Sequence, residues 1–132
     1  MELSWKATDP VSGRISAERH SGANDYISRI EKLLTLGEGY SEVSCNDQFY
    51  PRMSFIFRGA YGVVEHWSSS EEMFLLLGDG VISNDEVVSV PEFEGDTQYT
   101  GAFVSSRQRA WDAVKKFIGS GSVDGIGQWV EL

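Results

Sequence analysis

Three short apolar runs with tight turns between them occupy residues 53–77, which read MSFIFRGAYGVVEHWSSSEEMFLLL. Gly59 and Ala60 connect the first run to the second, and the serines at 68–70 connect the second to the third. Consecutive strands joined by such short connections usually pair in antiparallel order. The stretch therefore predicts an antiparallel meander at the centre of the fold.

Amphipathic helices are predicted on both sides of this meander in the sequence. Apolar residues from Tyr26 to Leu34 recur at helical spacing after a candidate N-cap at Asn24, and Gly37 supplies a stop. Apolar residues from Ala110 to Ile118 form one helical face behind a serine cap. These patterns predict helices at about residues 24–36 and 106–118.

The fold class predicted from these elements is α+β. Apolar alternation at Leu3 and Trp5 indicates a further strand near the N-terminus, and Val87 to Val90 indicates a short one after the meander. We expect one domain, residues 1–132, in which an antiparallel sheet of five or six strands is covered by the two helices.

The negative charge of the chain is concentrated in one interval. The chain carries 20 acidic and 11 basic residues and a formal net charge of −9. Between Arg58 and Arg107 there is no lysine or arginine. The remaining sequence has 11 acids against 11 bases, so residues 59–106 account for the whole net charge. The nine acids of this interval are Glu65, Glu71, Glu72, Asp79, Asp85, Glu86, Glu92, Glu94 and Asp96.

Such an interval has two interpretations. A run of like charge is most often a solvated face. It can also produce a field that attracts a cationic partner, and it disfavours binding to nucleic acid or to an anionic membrane. On composition alone the solvated face is the simpler interpretation.

The sequence contains no pattern that indicates a metal or cofactor site. Cys45, His20 and His66 lack the spacing of metal ligands, and Gly78-Asp79-Gly80 has no following lysine and is typical of a turn. A lone cysteine in an apolar strand is usually a core residue, and we expect His66 at a surface or half-buried position. We therefore expect no cofactor, no metal and no enzymatic activity.

The expected compartment is the cytoplasm. One cysteine excludes an internal disulfide and suits a reducing environment. The N-terminal residues MELSWKATDP do not have the form of a signal peptide, and the apolar runs are too short to span a bilayer.

The later part of the sequence carries a recognisable series of motifs. The strand Tyr61-Gly62-Val63-Val64-Glu65-His66-Trp67 is followed by a strand that ends at Gly78 and then by the acidic segment. Phe103-Val104-Ser105-Ser106 leads into the helix that runs to Phe117-Ile118, and Trp129-Val130-Glu131 stands at the end. This order resembles the first immunity-protein family of bacterial polymorphic toxin systems, most specifically in the last third of the chain.

The resemblance implies an inhibitor that binds a cognate secreted toxin, a deaminase or nuclease that acts on nucleic acid, as a monomer in a 1:1 complex. Such toxins need basic substrate grooves, which an acidic surface complements. We expect the nine acids to contact the toxin, with Trp67 and Tyr99 as candidate aromatic anchors. The expected toxin-binding residues are Glu65, Trp67, Glu71, Glu72, Asp79, Asp85, Glu86, Glu92, Glu94, Asp96 and Tyr99.

Two alternatives remain open on the sequence. One is a small α+β enzyme or ligand-binding domain with a pocket between the sheet and the helices, which requires convergent polar groups and a titratable residue with a perturbed pKa. The other is a subunit of a larger complex, which predicts a hydrophobic contact surface.

Overall fold

A computed structural model describes residues 1–93 and 95–132 of the chain. The described helices are α1 (Ala23–Leu36) and α2 (Arg107–Ser120), and a 3₁₀ turn spans Gly101–Phe103. The described strands are β1 (Leu3–Ala7), β2 (Arg19–Ser21), β3 (Glu38–Cys45), β4 (Arg52–Arg58), β5 (Tyr61–Trp67), β6 (Met73–Leu76), β7 (Val87–Glu92), β8 (Gly95–Thr100), β9 (Ser105–Ser106) and β10 (Trp129–Glu131).

Within these residues, eight strands form one antiparallel sheet in the order β10-β6-β5-β4-β3-β1-β2, with β9 paired to β5 beside this path. The predicted meander is its centre, β4-β5-β6. The α+β class is confirmed, and the sheet has more strands than the five or six expected. The additional strands β2, β9 and β10 are two or three residues long, too short for an alternating pattern to be recognised in sequence.

Both helices lie on one face of this sheet. Phe55 of β4 stacks on Trp111 of α2 with 5.6 Å between ring centroids, and Trp5 of β1 meets Tyr26 of α1 edge-on at 5.5 Å. Together with the other buried apolar residues of α1, α2, β1 and β3–β6, these rings fill the space between sheet and helices. Burial of this apolar surface is the main stabilising contribution to the fold.

The opposite face of the sheet is partly covered by β7 and β8, which pair with each other and are called the ribbon below. Val90 of the ribbon is buried against Tyr40, Ile56 and Val63, the residues that alternate with those of the helix-facing core. The short strand predicted at Val87 to Val90 is present as part of β7, but its pairing with β8 over this face was not predicted. The ribbon places the later half of the acidic interval on the face without helices.

The helix boundaries follow from local backbone chemistry. Gly37 ends α1 in the left-handed region at φ 100°, and its N–H donates to the carbonyl of Leu33, as the stop signal predicted. The N-cap of α1 is Gly22 rather than Asn24. Ser106 caps α2 by accepting the N–H of Arg109, as predicted. The observed helices thus lie within two residues of the predicted bounds.

Close packing of α2 on β5 depends on Gly62. A Cβ atom at this position would lie 2.8 Å from the Cβ of Ala110. The absence of a side chain therefore allows α2 to approach the sheet here.

Neither described helix has the length and apolar character needed to cross a membrane.

Candidate functional site

The acids of the predicted toxin-binding surface differ widely in exposure. Glu65 is buried, and Glu92 is half-buried, as are Trp67 and Tyr99. Glu94 lies outside the described residues. The exposed acids are Glu71, Glu72, Asp79, Asp85, Glu86 and Asp96.

The exposed acids lie at more than one place on the fold. Glu71 and Glu72 belong to the turn that leads into β6, whereas Asp79 follows the other end of that strand. Asp79 accepts a hydrogen bond from the backbone N–H of Ser106 at 3.2 Å, where its charge suits the N-terminus of α2. Strand β6 therefore separates two groups of acids that are close in sequence.

Asp96 is engaged in an ion pair within the protein. Both of its carboxylate oxygens accept hydrogen bonds from Arg58, each at 3.0 Å, and Arg58 also contacts Glu38 at 3.2 Å. The Arg58 guanidinium lowers the pKa of the Asp96 carboxyl. The pair ties the ribbon to the end of β4 and offsets the charge of Asp96.

Glu65, Glu92 and Tyr99 meet under the ribbon, together with Glu42 and Tyr40 of β3. We call these five residues the carboxylate–tyrosine cluster. The Tyr99 hydroxyl donates to Glu92 Oε1 at 2.5 Å and lies 3.4 Å from Glu65 Oε2, and the Tyr40 hydroxyl donates to Glu42. The structure thus brings three of the eleven predicted site residues together and adds two that were not predicted.

Strand register explains why the cluster forms. Glu42 pairs with Ser54, and Ser54 pairs with Glu65, so these three side chains follow one row across β3, β4 and β5. Residues opposite one another on neighbouring antiparallel strands share a face. The Ser54 hydroxyl is buried in this row and has no hydrogen-bond partner among the described residues.

Burial controls the protonation of the cluster. Glu65 is only 5% exposed, and this desolvation, reinforced by the charge of Glu92, raises the pKa of Glu65 to about 7. Burial also raises the pKa of Glu92, and it raises the pKa of Tyr40 and Tyr99. Both tyrosines therefore remain hydrogen-bond donors, and Glu65 exchanges its proton near neutral pH. No group of three or more His, Cys, Asp or Glu in the described residues is arranged to hold a metal ion.

A buried cation adjoins the cluster. Arg52 is 2% exposed and forms ion pairs with Glu42 and Glu18, each at 2.8 Å. None of the ion pairs in the described chain involves Glu65 or Glu92. Glu42 and Arg52 were not predicted as site residues, although each stands in or at the start of a strand with a buried apolar face.

Trp67 lies away from the ribbon hydrogen bonds, at the end of β5 where it pairs in register with Arg52. The turn containing Glu71 and Glu72 follows it directly, so the aromatic ring and these two exposed acids lie at one end of the sheet.

His66, which was expected at the surface or half-buried, is buried instead. Its ring stacks on Phe74 at 4.8 Å and meets Trp129 edge-on at 4.4 Å, because β10 folds back onto β6.

A cavity of about 510 Å³ opens beside the other end of the cluster. Tyr40 and Glu92 contribute to its wall, and the exposed side chains of Leu36 and Phe93 lie at its margin. It is bounded by the 8–15 loop, the end of α1 and the ribbon. The space between sheet and helices, where the enzyme alternative placed a pocket, is filled by core side chains.

No protein-family model matches this sequence, and no curated protein matches it. The resemblance to the immunity-protein family therefore rests on the sequence motifs that carry it.

Proposed function

We propose that this chain is an immunity protein that binds a secreted bacterial toxin domain, a nucleic-acid deaminase or nuclease, and covers its basic active-site groove. The observation that carries the proposal is the charge distribution. The whole net charge of −9 arises from residues 59–106, and six of the nine acids of that interval are exposed. An exposed acidic surface accelerates association with a basic groove and disfavours neutral or acidic partners.

We assign the contact role to those predicted residues that are exposed and form no ion pair. Glu71, Glu72, Asp85 and Glu86 are exposed and have no ion pair among the described residues, so their charges are available to a partner. Trp67 stands next to Glu71 and Glu72 and suits the role of aromatic anchor. Glu65, Asp79 and Asp96 are buried or bonded within the protein, and for them we propose a supporting role.

The partner, the compartment and the stoichiometry belong to the same proposal. An inhibitor of this kind acts in the cytoplasm of the cell that makes it, as a monomer in a 1:1 complex. It needs no cofactor and has no catalytic activity of its own. Its charge keeps it from nucleic acid and from anionic membranes.

The proposal predicts that a large secreted protein with a C-terminal toxin domain is encoded beside this gene, and that domain is the partner for the test. The domain is purified with and without this chain, and its deamination or cleavage of DNA and RNA is measured. We expect a 1:1 complex by light scattering and loss of the toxin's activity at equimolar inhibitor. A neighbouring toxin domain that neither binds this chain nor loses activity would contradict the proposal.

A second function is favoured by one specific observation. Glu65, whose pKa is about 7, lies in a cluster that reaches the 510 Å³ cavity through Tyr40 and Glu92. This combination is typical of a site that binds or transforms a small molecule. The two functions are distinguished by a fragment screen in which the amide NMR resonances of this chain report binding. Saturable shifts confined to the cavity, with no effect of the chain on the toxin, would favour the ligand-binding function.

A further inference from the structure

A concave groove between α1 and the edge strand β2 gathers basic side chains in an otherwise acidic protein. Its volume is about 640 Å³. Asp25, Ser28, Arg29 and Lys32 line it from α1, at the spacing of one helical face. The strand side contributes Arg19, His20 and Ser21, with Trp5 beneath them.

Two of these cations are held in place by one indole ring. The guanidinium carbons of Arg19 and Arg29 each lie 5.6 Å from the centroid of the Trp5 ring. The ring itself is buried, and its Nε1 donates to Ser21 Oγ at 2.9 Å. Arg29 also donates to the carbonyl of Thr8 at 3.4 Å. These contacts preorganise the guanidinium groups, which lowers the entropic cost of binding a ligand.

The cations of the groove, Arg19, Arg29 and Lys32, outnumber the acids near them, Asp25 in the lining and Asp9 near Arg29. In residues 1–93 and 95–132, Arg19, Arg29 and Lys32 form no ion pair with a carboxylate. The lining contains three such cations and one acid, Asp25, which leaves it positively charged. Burial lowers the pKa of Arg29, the charge of Arg19 acts in the same direction, and the charge of Asp9 opposes both without cancelling them. The guanidinium groups of Arg19 and Arg29 therefore repel each other.

We propose that this groove binds the phosphate group of a small phosphorylated molecule. Planar guanidinium groups donate paired hydrogen bonds to phosphate oxygens, and an ammonium group and serine hydroxyls can complete the set. A phosphate monoester brings up to two negative charges, which relieves the repulsion between Arg19 and Arg29. A nucleic acid is disfavoured because the remainder of the chain repels a long polyanion.

The groove is independent of the proposed toxin-binding surface. Strand β2 is the edge strand at one end of the sheet order, whereas β6 and β10 form the other end. Glu71 and Glu72 adjoin β6. A phosphate ligand would therefore bind on the side of the sheet away from these acids, and either proposal can fail without the other.

Inorganic phosphate and a nucleoside 5′-monophosphate serve as probes, with amide and indole resonances recorded in a phosphate-free buffer. We expect saturable shifts at Ser21, Ser28, Arg29 and the Trp5 indole N–H. Because charge-assisted hydrogen bonds are lost, Arg19→Gln with Arg29→Gln should weaken binding by about tenfold or more. Arg14→Gln, an exposed arginine outside the groove, is the matched control.

Several outcomes would overturn the proposal. One is the absence of a saturable shift up to about 10 mM of either probe, the weak end of specific binding. Equal weakening by Arg14→Gln, or binding of a short oligonucleotide without binding of either phosphate probe, would also overturn it. Should the double variant fail to fold, the single variant Lys32→Gln, which is exposed on α1, is compared with Arg14→Gln instead.

Discussion

Replacement of Glu65 by glutamine should change how the stability of the protein depends on pH. Glutamine has nearly the same shape and keeps an oxygen that can accept the hydrogen bond from Tyr99, but it carries no charge. In the wild-type protein the pKa of Glu65 rises from 4.5 to about 7 on folding, chiefly because the carboxylate is buried. The folded state therefore holds a proton that the unfolded chain releases at lower pH.

The direction and size of the effect follow from this shift. Below pH 4.5 the carboxyl is protonated in both states and burial costs no ionisation energy. Between pH 4.5 and about 7 the unfolded chain loses its proton first, so the free energy of unfolding falls as pH rises. At about 1.4 kcal/mol per pKa unit, the loss is about 3 kcal/mol and is complete above pH 7. Glu92, whose pKa is also raised, contributes in the same direction.

Urea unfolding from pH 4 to pH 9 measures this dependence. We expect Glu65→Gln to be more stable than the wild type at pH 8 by up to about 3 kcal/mol and nearly equal to it at pH 4. Glu71→Gln, at an exposed position, is the control and should leave the difference between the two pH values unchanged. A Glu65→Gln profile parallel to that of the wild type would refute the reasoning.

The other predictions concern stability and are checked by the same unfolding measurement. Arg52→Ala removes a buried cation and leaves Glu42 and Glu18 without a cationic partner, which should cost about 3–5 kcal/mol. A loss below about 1 kcal/mol, typical of an exposed ion pair, would contradict this. Gly62→Ala places a methyl group against Ala110 and should cost about 1–3 kcal/mol. An unchanged urea midpoint would contradict this prediction, because it would show that α2 can move away from β5 without a loss of stability.

The parts of the fold that could be predicted from the sequence are those with strong local patterns. The helices and the strands β4 to β6 each have a complete apolar face, so periodicity locates them. The first strand of the ribbon was predicted at Val87 to Val90. Its partner β8 could not be predicted in this way, because most side chains of Gly95–Thr100 are polar and exposed. The position of the ribbon depends on Val90 packing against Ile56 and Val63, a contact distant in sequence.

The candidate site could be predicted only in part, for a related reason. The charge interval is visible in the sequence, but the exposure of each acid is decided by strand register and by the ribbon. The sequence predicted that Glu65 lies on the toxin-binding surface. In the structure its carboxyl is buried on β5 and covered by Tyr99. Glu42 joins it from outside the interval because β3 and β5 both flank β4.

The role of the acidic interval is tested most directly by the association rate constant with the neighbouring toxin domain, measured over a range of salt concentrations. One variant changes Glu71, Glu72, Asp85 and Glu86 to lysine, and its control changes Glu2, Glu31, Asp47 and Asp124, four exposed acids outside the interval, to lysine. Both variants alter the net charge equally.

We expect the interval variant to associate at least about tenfold more slowly and to lose most of its salt dependence, since long-range attraction is removed. The control variant should lose much less of its association rate and of its salt dependence. Equal rates and equal salt dependence for the two variants would contradict the assignment of residues 59–106 as the toxin-facing surface.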